Sequence, residues 1–213
     1  MGLSRSMARG SAPRGSGNGG VRPAMRAGQN GRMTRNPDAS APFRVVFVCT
    51  GNICRSPMAE VVFRQLADAS GHGSRVASSS AGTGDWHVGE QGDERTLAAL
   101  QRRGYDGSKH RARQFTADTF DVNDLVVALD RSHERILRGW ARTEEDADKV
   151  ALLLGFLPNP TTLDVPDPYY AAAEMFDDVL GMIEDATTSL FRQLEPALRP
   201  GSRTAAFPFG ASS

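Results

Sequence analysis

Residues 49–57 read Cys49-Thr50-Gly51-Asn52-Ile53-Cys54-Arg55-Ser56-Pro57. A cysteine, five residues, then arginine and serine bring a nucleophile, a cation and a hydroxyl onto one short stretch. A thiolate is a strong nucleophile, and cations or helix N-termini nearby favour that form. The guanidinium of Arg55 can hold two phosphate oxygens at once. Gly51 permits tight backbone curvature, and Asn52 tolerates a left-handed conformation. The backbone from Thr50 through Gly51, Asn52, Ile53, Cys54, Arg55 and Ser56 would ring a bound oxyanion with N–H groups. Ser56 can donate a hydrogen bond to the Cys49 sulfur, steadying the thiolate. An ordinary buried thiol at a strand end would account for Cys49 alone. It would not account for the whole set. A phosphate ester also needs a proton on its leaving oxygen, which a nearby carboxylic acid can supply. Asp164 and Asp167 are the candidates. Asp167 lies between Pro166 and Pro168, which hold it in a turn; the same pattern is common before a helix, so both readings stand at this point.

Such a loop must be held between two elements, and the flanking sequence provides them. Phe43–Val48 is short, β-branched and nearly all apolar, as expected of a strand buried on both faces. Ser56-Pro57 reads as a helix start, with Ser56 as N-cap and Pro57 at the first helical position. The helix runs to about Ala69, before Gly71. The pattern repeats. Strands are expected at 75–80, 124–129 and 150–154, and helices at 91–103, 132–138 and from Ala172 to about Leu194. The last has Phe176, Leu180, Ile183 and Leu190 on one face. The fold class is therefore α/β: a single doubly wound domain, with a four-stranded parallel sheet, helices on both faces and a phosphate-binding loop after the first strand. Ligands on such sheets sit beyond the carboxyl ends of the strands, where Cys49 falls.

The chain has 213 residues and a formal net charge of zero. That balance is uneven. Residues 1–42 hold seven Arg and one Asp, a net of +6, so the remainder carries −6. The first 42 residues are rich in Gly, Ser, Arg and Pro, and are expected to be a disordered basic extension. Residues 43–195 form the folded domain, and 196–213 a flexible C-terminal tail. Cys49 and Cys54 are the only cysteines. They exclude a disulfide framework and suggest a reducing, cytoplasmic setting. No run of about 18 apolar residues suggests a membrane span. His72, His87, His110 and His133 have no metal-ligand spacing, so no metal and no cofactor are expected. A Cys49–Cys54 disulfide would block the nucleophile reversibly; Cys54 as a small apolar loop filler is the alternative.

The run Cys49–Pro57 resembles the phosphate-binding loop of the low-molecular-weight protein tyrosine phosphatases. Further stretches resemble that family in the same order: Ser80-Ala81-Gly82-Thr83-Gly84-Asp85-Trp86-His87-Val88-Gly89, Lys109–Gln114, Ala128–His133 and Val165–Tyr170. The resemblance spans roughly residues 43–195. It implies hydrolysis of phosphotyrosine through a phosphocysteine intermediate, with Cys49 as nucleophile, Arg55 as phosphate clamp and Asp167 as general acid and then base. It implies that Trp86, Tyr169 and Tyr170 wall the cleft. It also implies support from Ser80, which would bond Asn52, and from His110 and Asp130, which would pair beneath the loop. Members of that family with Thr at the position of Ile53 lean toward phosphoarginine and those with Ile toward phosphotyrosine, so the resemblance implies phosphotyrosine.

Arsenate reductases of the thioredoxin-coupled kind share the fold and loop but need a further pair of downstream cysteines, which this chain lacks, and the Asp167-Pro168-Tyr169-Tyr170 run counts against them. An inactive phosphoprotein-binding module would not need Cys49, Arg55, Ser56 and Asp167 together. The Arg-rich extension lacks aromatics to stack bases, so no nucleic-acid partner is expected. The expected partners are phosphotyrosine-containing proteins, met by a monomer without membrane attachment.

Overall fold

A computed structural model of the chain describes residues 42–198. The basic extension and the end of the C-terminal tail lie outside the described residues. Four parallel strands form one sheet in the order β2-β1-β3-β4: β1 is Phe43–Cys49, β2 Val76–Gly82, β3 Leu125–Ala128 and β4 Val150–Leu152. The helices are α1 Arg55–Ala69, α2 Glu94–Arg102, α3 Thr119–Val122, α4 Arg131–Trp140, α5 Glu144–Asp148 and α6 Ala173–Leu198, with a 3-10 turn at Leu153–Phe156.

The alternation of strand side chains explains why both faces are covered. Val45, Phe47 and Cys49 of β1, with Leu125 and Val127 of β3, pack into the core shared with α1, α2 and α6. Val46, Val48, Val126 and Ala128 point the other way, against Phe115, Phe120 and Leu137. Each side has its own apolar core, and β1 runs through the middle with residues 45–48 at most 1% exposed. The strand order reverses at β1 and β3, and the loop leaving β1 opens at that switch point.

Element ends differ from expectation for identifiable reasons. The first helix begins at Arg55, with Cys54 in the N-cap position and no capping side chain. Its first-turn N–H groups need no intrahelical partner, and the Ser56 hydroxyl is used at Cys49 instead of as a cap. Pro57 then takes the third helical position, where a missing donor costs nothing. β2 continues to Gly82 because Ala81 and Gly82 pair with Val48 and Cys49. Gly82 can bear no side chain: a Cβ there would meet the Thr50 carbonyl oxygen at 2.7 Å. α2 begins later than expected, at Glu94, where Asp93 caps it. α4 begins earlier, at Arg131, because Asp130 caps it by accepting from the His133 N–H. The expected tail from residue 196 is partly helical, since α6 carries through Pro196 to a buried Leu198 whose carbonyl accepts from Arg75.

Candidate active site

The loop between β1 and α1 is bound to the scaffold chiefly through its carbonyls. Cys49 O accepts from the Thr83 N–H at 2.8 Å, Thr50 O from Gly84 at 2.9 Å and Ile53 O from Asp93 at 2.9 Å. Asn52 O lies 2.7 Å from Nε2 of His110; a carbonyl only accepts, so that nitrogen carries the hydrogen. In a trans peptide the N–H points opposite its C=O. Anchoring the carbonyls to the scaffold therefore turns the following amides toward the concave side of the loop. The result is an anion cradle around Cys49, completed by the N-terminus of α1.

Asn52 holds this shape from behind. Its φ of 56° is the left-handed conformation. Its Oδ1 accepts from the Arg113 N–H at 2.9 Å, which orients the amide. Its Nδ2 then donates to Ser56 Oγ at 2.9 Å and Ser80 Oγ at 2.8 Å. Ser80 passes its own hydrogen to Glu60 at 2.6 Å. Ser56 Oγ lies 3.0 Å from Cys49 Sγ. Burial alone would raise the pKa of Glu60, but the nearby His110 ring, 3.8 Å away, and the hydrogen bond from Ser80 outweigh it and hold the carboxyl below its ordinary range. A charged, fully engaged glutamate thus underlies the loop.

Arg55 is 3% exposed. Its Nη1 donates to Asp130 at 2.8 Å and to the Val165 carbonyl at 3.0 Å, and its Nη2 donates to Asp167 at 2.6 Å. Asp130 is itself held by the His133 N–H and the Ser132 hydroxyl. Burial pushes the Asp130 pKa up, yet the adjacent His133 ring together with these bonds prevails and keeps it well below the usual carboxylate range. His133 Nδ1 sits 2.9 Å from Asp130, outside hydrogen-bond geometry, while Nε2 meets Thr50 Oγ1 at 2.9 Å.

These groups open into a cleft of about 350 Å³. Cys49, Thr50, Gly51, Ile53, Cys54 and Arg55 form one part of its wall, and Trp86, His87, Asp167, Tyr169 and Tyr170 the other. The rim is exposed: Trp86 is 69% and Tyr170 96% accessible. His87 reaches over Gly51 so closely that a Cβ there would lie 3.0 Å from its ring. Burial pushes the Cys54 thiol up to about 12. Among the described residues no group of three or more His, Cys, Asp or Glu side chains is arranged to hold a metal ion.

Of the residues singled out in the sequence, Cys49, Arg55 and Asp167 share this cleft, with Trp86, Tyr169 and Tyr170 around it. Asn52, Ser56, Ser80 and His110 stand behind the loop and do not line it. One expectation needs correction. His110 and Asp130 do not pair: His110 faces Asn52 and Glu60, and Asp130 faces Arg55 on the other flank. Asp164, the rival acid, is gripped at the surface by Arg131 at 2.7 Å and does not line the cleft. Sequence reasoning missed Glu60, Arg113 and the Thr50 contact of His133. Glu60 alone left a signal, lying four residues beyond Ser56 and so on the same helix face.

Fold and site together define an α/β protein with a cysteine at the floor of an anion cradle, the arrangement of a cysteine-based phosphatase. The family model for low molecular weight phosphotyrosine protein phosphatase matches residues 44–199. A low molecular weight protein-tyrosine-phosphatase of Streptomyces coelicolor is 54% identical over 150 residues, covering 70% of this chain and 91% of that one. Low molecular weight protein-tyrosine phosphatase A of Mycobacterium tuberculosis is 46% identical over 153 residues, covering 71% and 91%. Among solved structures, YfkJ from Bacillus subtilis matches with a TM-score of 0.70 at 34% identity, covering 74% of this chain and 98% of that one. A protein tyrosine phosphatase from Entamoeba histolytica matches at 0.69 and 32% identity, covering 73% and 98%. The chain belongs to the low molecular weight phosphotyrosine protein phosphatase family.

Proposed function

We propose that this protein hydrolyses phosphotyrosine in protein substrates through a phosphocysteine intermediate. The observation that carries the proposal is the conjunction of Cys49 Sγ at the floor of the cradle, Arg55 at its side and Asp167 2.6 Å from that guanidinium. The phosphate oxygens are held by the loop amides and Arg55. The Cys49 thiolate attacks phosphorus, forming the S–P bond as the P–O bond to the phenol breaks. Asp167, on the open side of the cleft, gives its proton to the departing phenolate oxygen. Its carboxylate then takes a proton from water, which attacks phosphorus and releases inorganic phosphate. Ser56, 3.0 Å from the sulfur, steadies the thiolate as it leaves.

The rim supports an aryl substrate. A phosphate on the cradle floor directs its ester group outward between Trp86 and Tyr169, whose faces suit a phenyl ring. Ile53 adds an apolar wall with no counter-charge for a cationic side chain.

The test is hydrolysis of a phosphotyrosine peptide and p-nitrophenyl phosphate, with a chelator present. Wild type is expected to turn over both. Cys49→Ser should be inactive on both, and Asp167→Asn should lose about 10²- to 10⁴-fold on the peptide. Folded, reduced wild type that hydrolyses neither substrate would overturn the proposal.

A further inference from the structure

Arg95 lies outside the cleft wall, yet it holds the segment that carries Asp167. It sits in the first turn of α2. Its Nη2 donates to the Tyr169 carbonyl at 3.0 Å and its Nη1 to the Ala171 carbonyl at 3.1 Å. Nε and Nη2 also donate to the Asp93 carboxylate, at 3.0 and 2.8 Å. The backbone N–H of Asp93 in turn holds Ile53 O in the phosphate loop. The guanidinium carbon lies 4.5 Å from the ring centre of Phe176, which is fully buried at the start of α6. One planar cation therefore joins the phosphate loop, the segment after Asp167 and the base of α6.

Asp167 and Val165 are held on the near side by Arg55, but the residues after Asp167 have little else to hold them. Their own bonds are internal, from Tyr169 N–H to Asp167 Oδ1 and from Ala171 N–H to Pro168 O. Among the described residues, the hydrogen bonds reaching 168–172 from outside that stretch come from Arg95 and, at its very end, from the Met175 N–H of α6 to the Ala172 carbonyl. A general acid must meet its oxygen within hydrogen-bond reach, and a misplacement of about 1 Å costs up to 10²-fold.

We propose that Arg95 is a positioning residue for the acid: it sets the distance from Asp167 to the leaving oxygen by clamping the two carbonyls that follow it. The proposal rests on Asp167 acting as the acid. Lysine would keep the charge but not the fork that meets two carbonyls and a carboxylate together.

The experiment measures kcat/KM, which reports P–O cleavage, for aryl phosphates of graded leaving-group pKa. It uses wild type, Arg95→Met, Arg95→Lys, Asp167→Asn and the Arg95→Met/Asp167→Asn double variant, each checked for cooperative unfolding. The expected result is selective. Arg95→Met loses about 10- to 100-fold on phenyl phosphate and little on 2,4-dinitrophenyl phosphate, whose leaving group needs no proton. Arg95→Lys falls between, and the second substitution adds nothing when Asp167 is already Asn. A loss equal across the series, or no loss in either Arg95 variant, overturns the positioning role. A flat response in Asp167→Asn would instead remove the acid assignment itself, and this proposal with it.

Discussion

The two sides of the cleft are held in contrasting ways. On the phosphate side, Asn52 and Ser56 are fully buried and Arg55 is 3% exposed. Four loop carbonyls and an amide side chain are tied to β2, α1 and the segments around Asp93, His110 and Arg113. On the leaving-group side, Asp167 is half exposed, and Trp86 and Tyr170 are mostly in solvent. Under the proposed function, the difference follows from what each side must do. Phosphate is the same in every substrate, so its site can be rigid and built into the core. The group attached to it differs between substrates, so that side must stay open.

If the phosphate side is rigid because Asn52 locks it, removing that lock should have the largest effect. Asn52→Ala loses the bonds to Ser56, Ser80 and Arg113 and places alanine at φ 56°. Asn52→Gly loses the same bonds but tolerates the backbone. Activity on p-nitrophenyl phosphate should fall about 100-fold in Asn52→Ala, and the glycine variant should be more stable than the alanine by about 1 kcal/mol. Equal stability of the two would remove backbone conformation from the account. Ser56→Ala tests the same lock one bond nearer the sulfur. It should lower kcat about 10-fold with kcat/KM little changed, because a thiolate loses its hydrogen bond in the step that releases it.

The locally encoded part of this machinery was legible in the sequence. Residues 49–56 carry their chemistry within eight positions, and β1 declares itself as a buried run before them. The sheet class followed from strands alternating with helices. The supports were less legible because their partners are distant in the chain. Asn52 meets Ser80, His110 and Arg113 only after β2 and the loop following α2 have folded back. The expected pairing of His110 with Asp130 failed because the two lie on opposite flanks of the loop. The start of α1 was misplaced because a helix opening onto an anion cradle does not need the capping side chain that usually marks a terminus.

Glu60 gives the next smaller effect, and its sign follows from its pKa. The carboxyl lies below its ordinary range in the folded protein. Its contribution is therefore complete above the unfolded carboxylate value, about pH 4.3, and is lost as pH falls through the lower folded value. Glu60→Gln should cost about 1–3 kcal/mol at pH 7, read from urea midpoints, and the gap to wild type should narrow at pH 3. A gap that stays constant with pH would mean that the charge under the loop is irrelevant.

The smallest effect belongs to the open side. Trp86 is 69% exposed in a glycine-rich loop and contributes little to the core. Under the proposed function a ring at that position meets whatever the phosphate carries, and aromatic pairs of this kind contribute about 0.5–1.5 kcal/mol. Trp86→Ala should therefore raise KM for a phosphotyrosine peptide about 2- to 10-fold, with kcat and unfolding temperature unchanged. For a small alkyl phosphate it should change neither constant, since no ring is present to lose its partner. Were Trp86→Ala to lower kcat equally for aryl and alkyl phosphates, the rim would be part of the rigid phosphate site, and the division of the cleft into a locked side and an open side would fail.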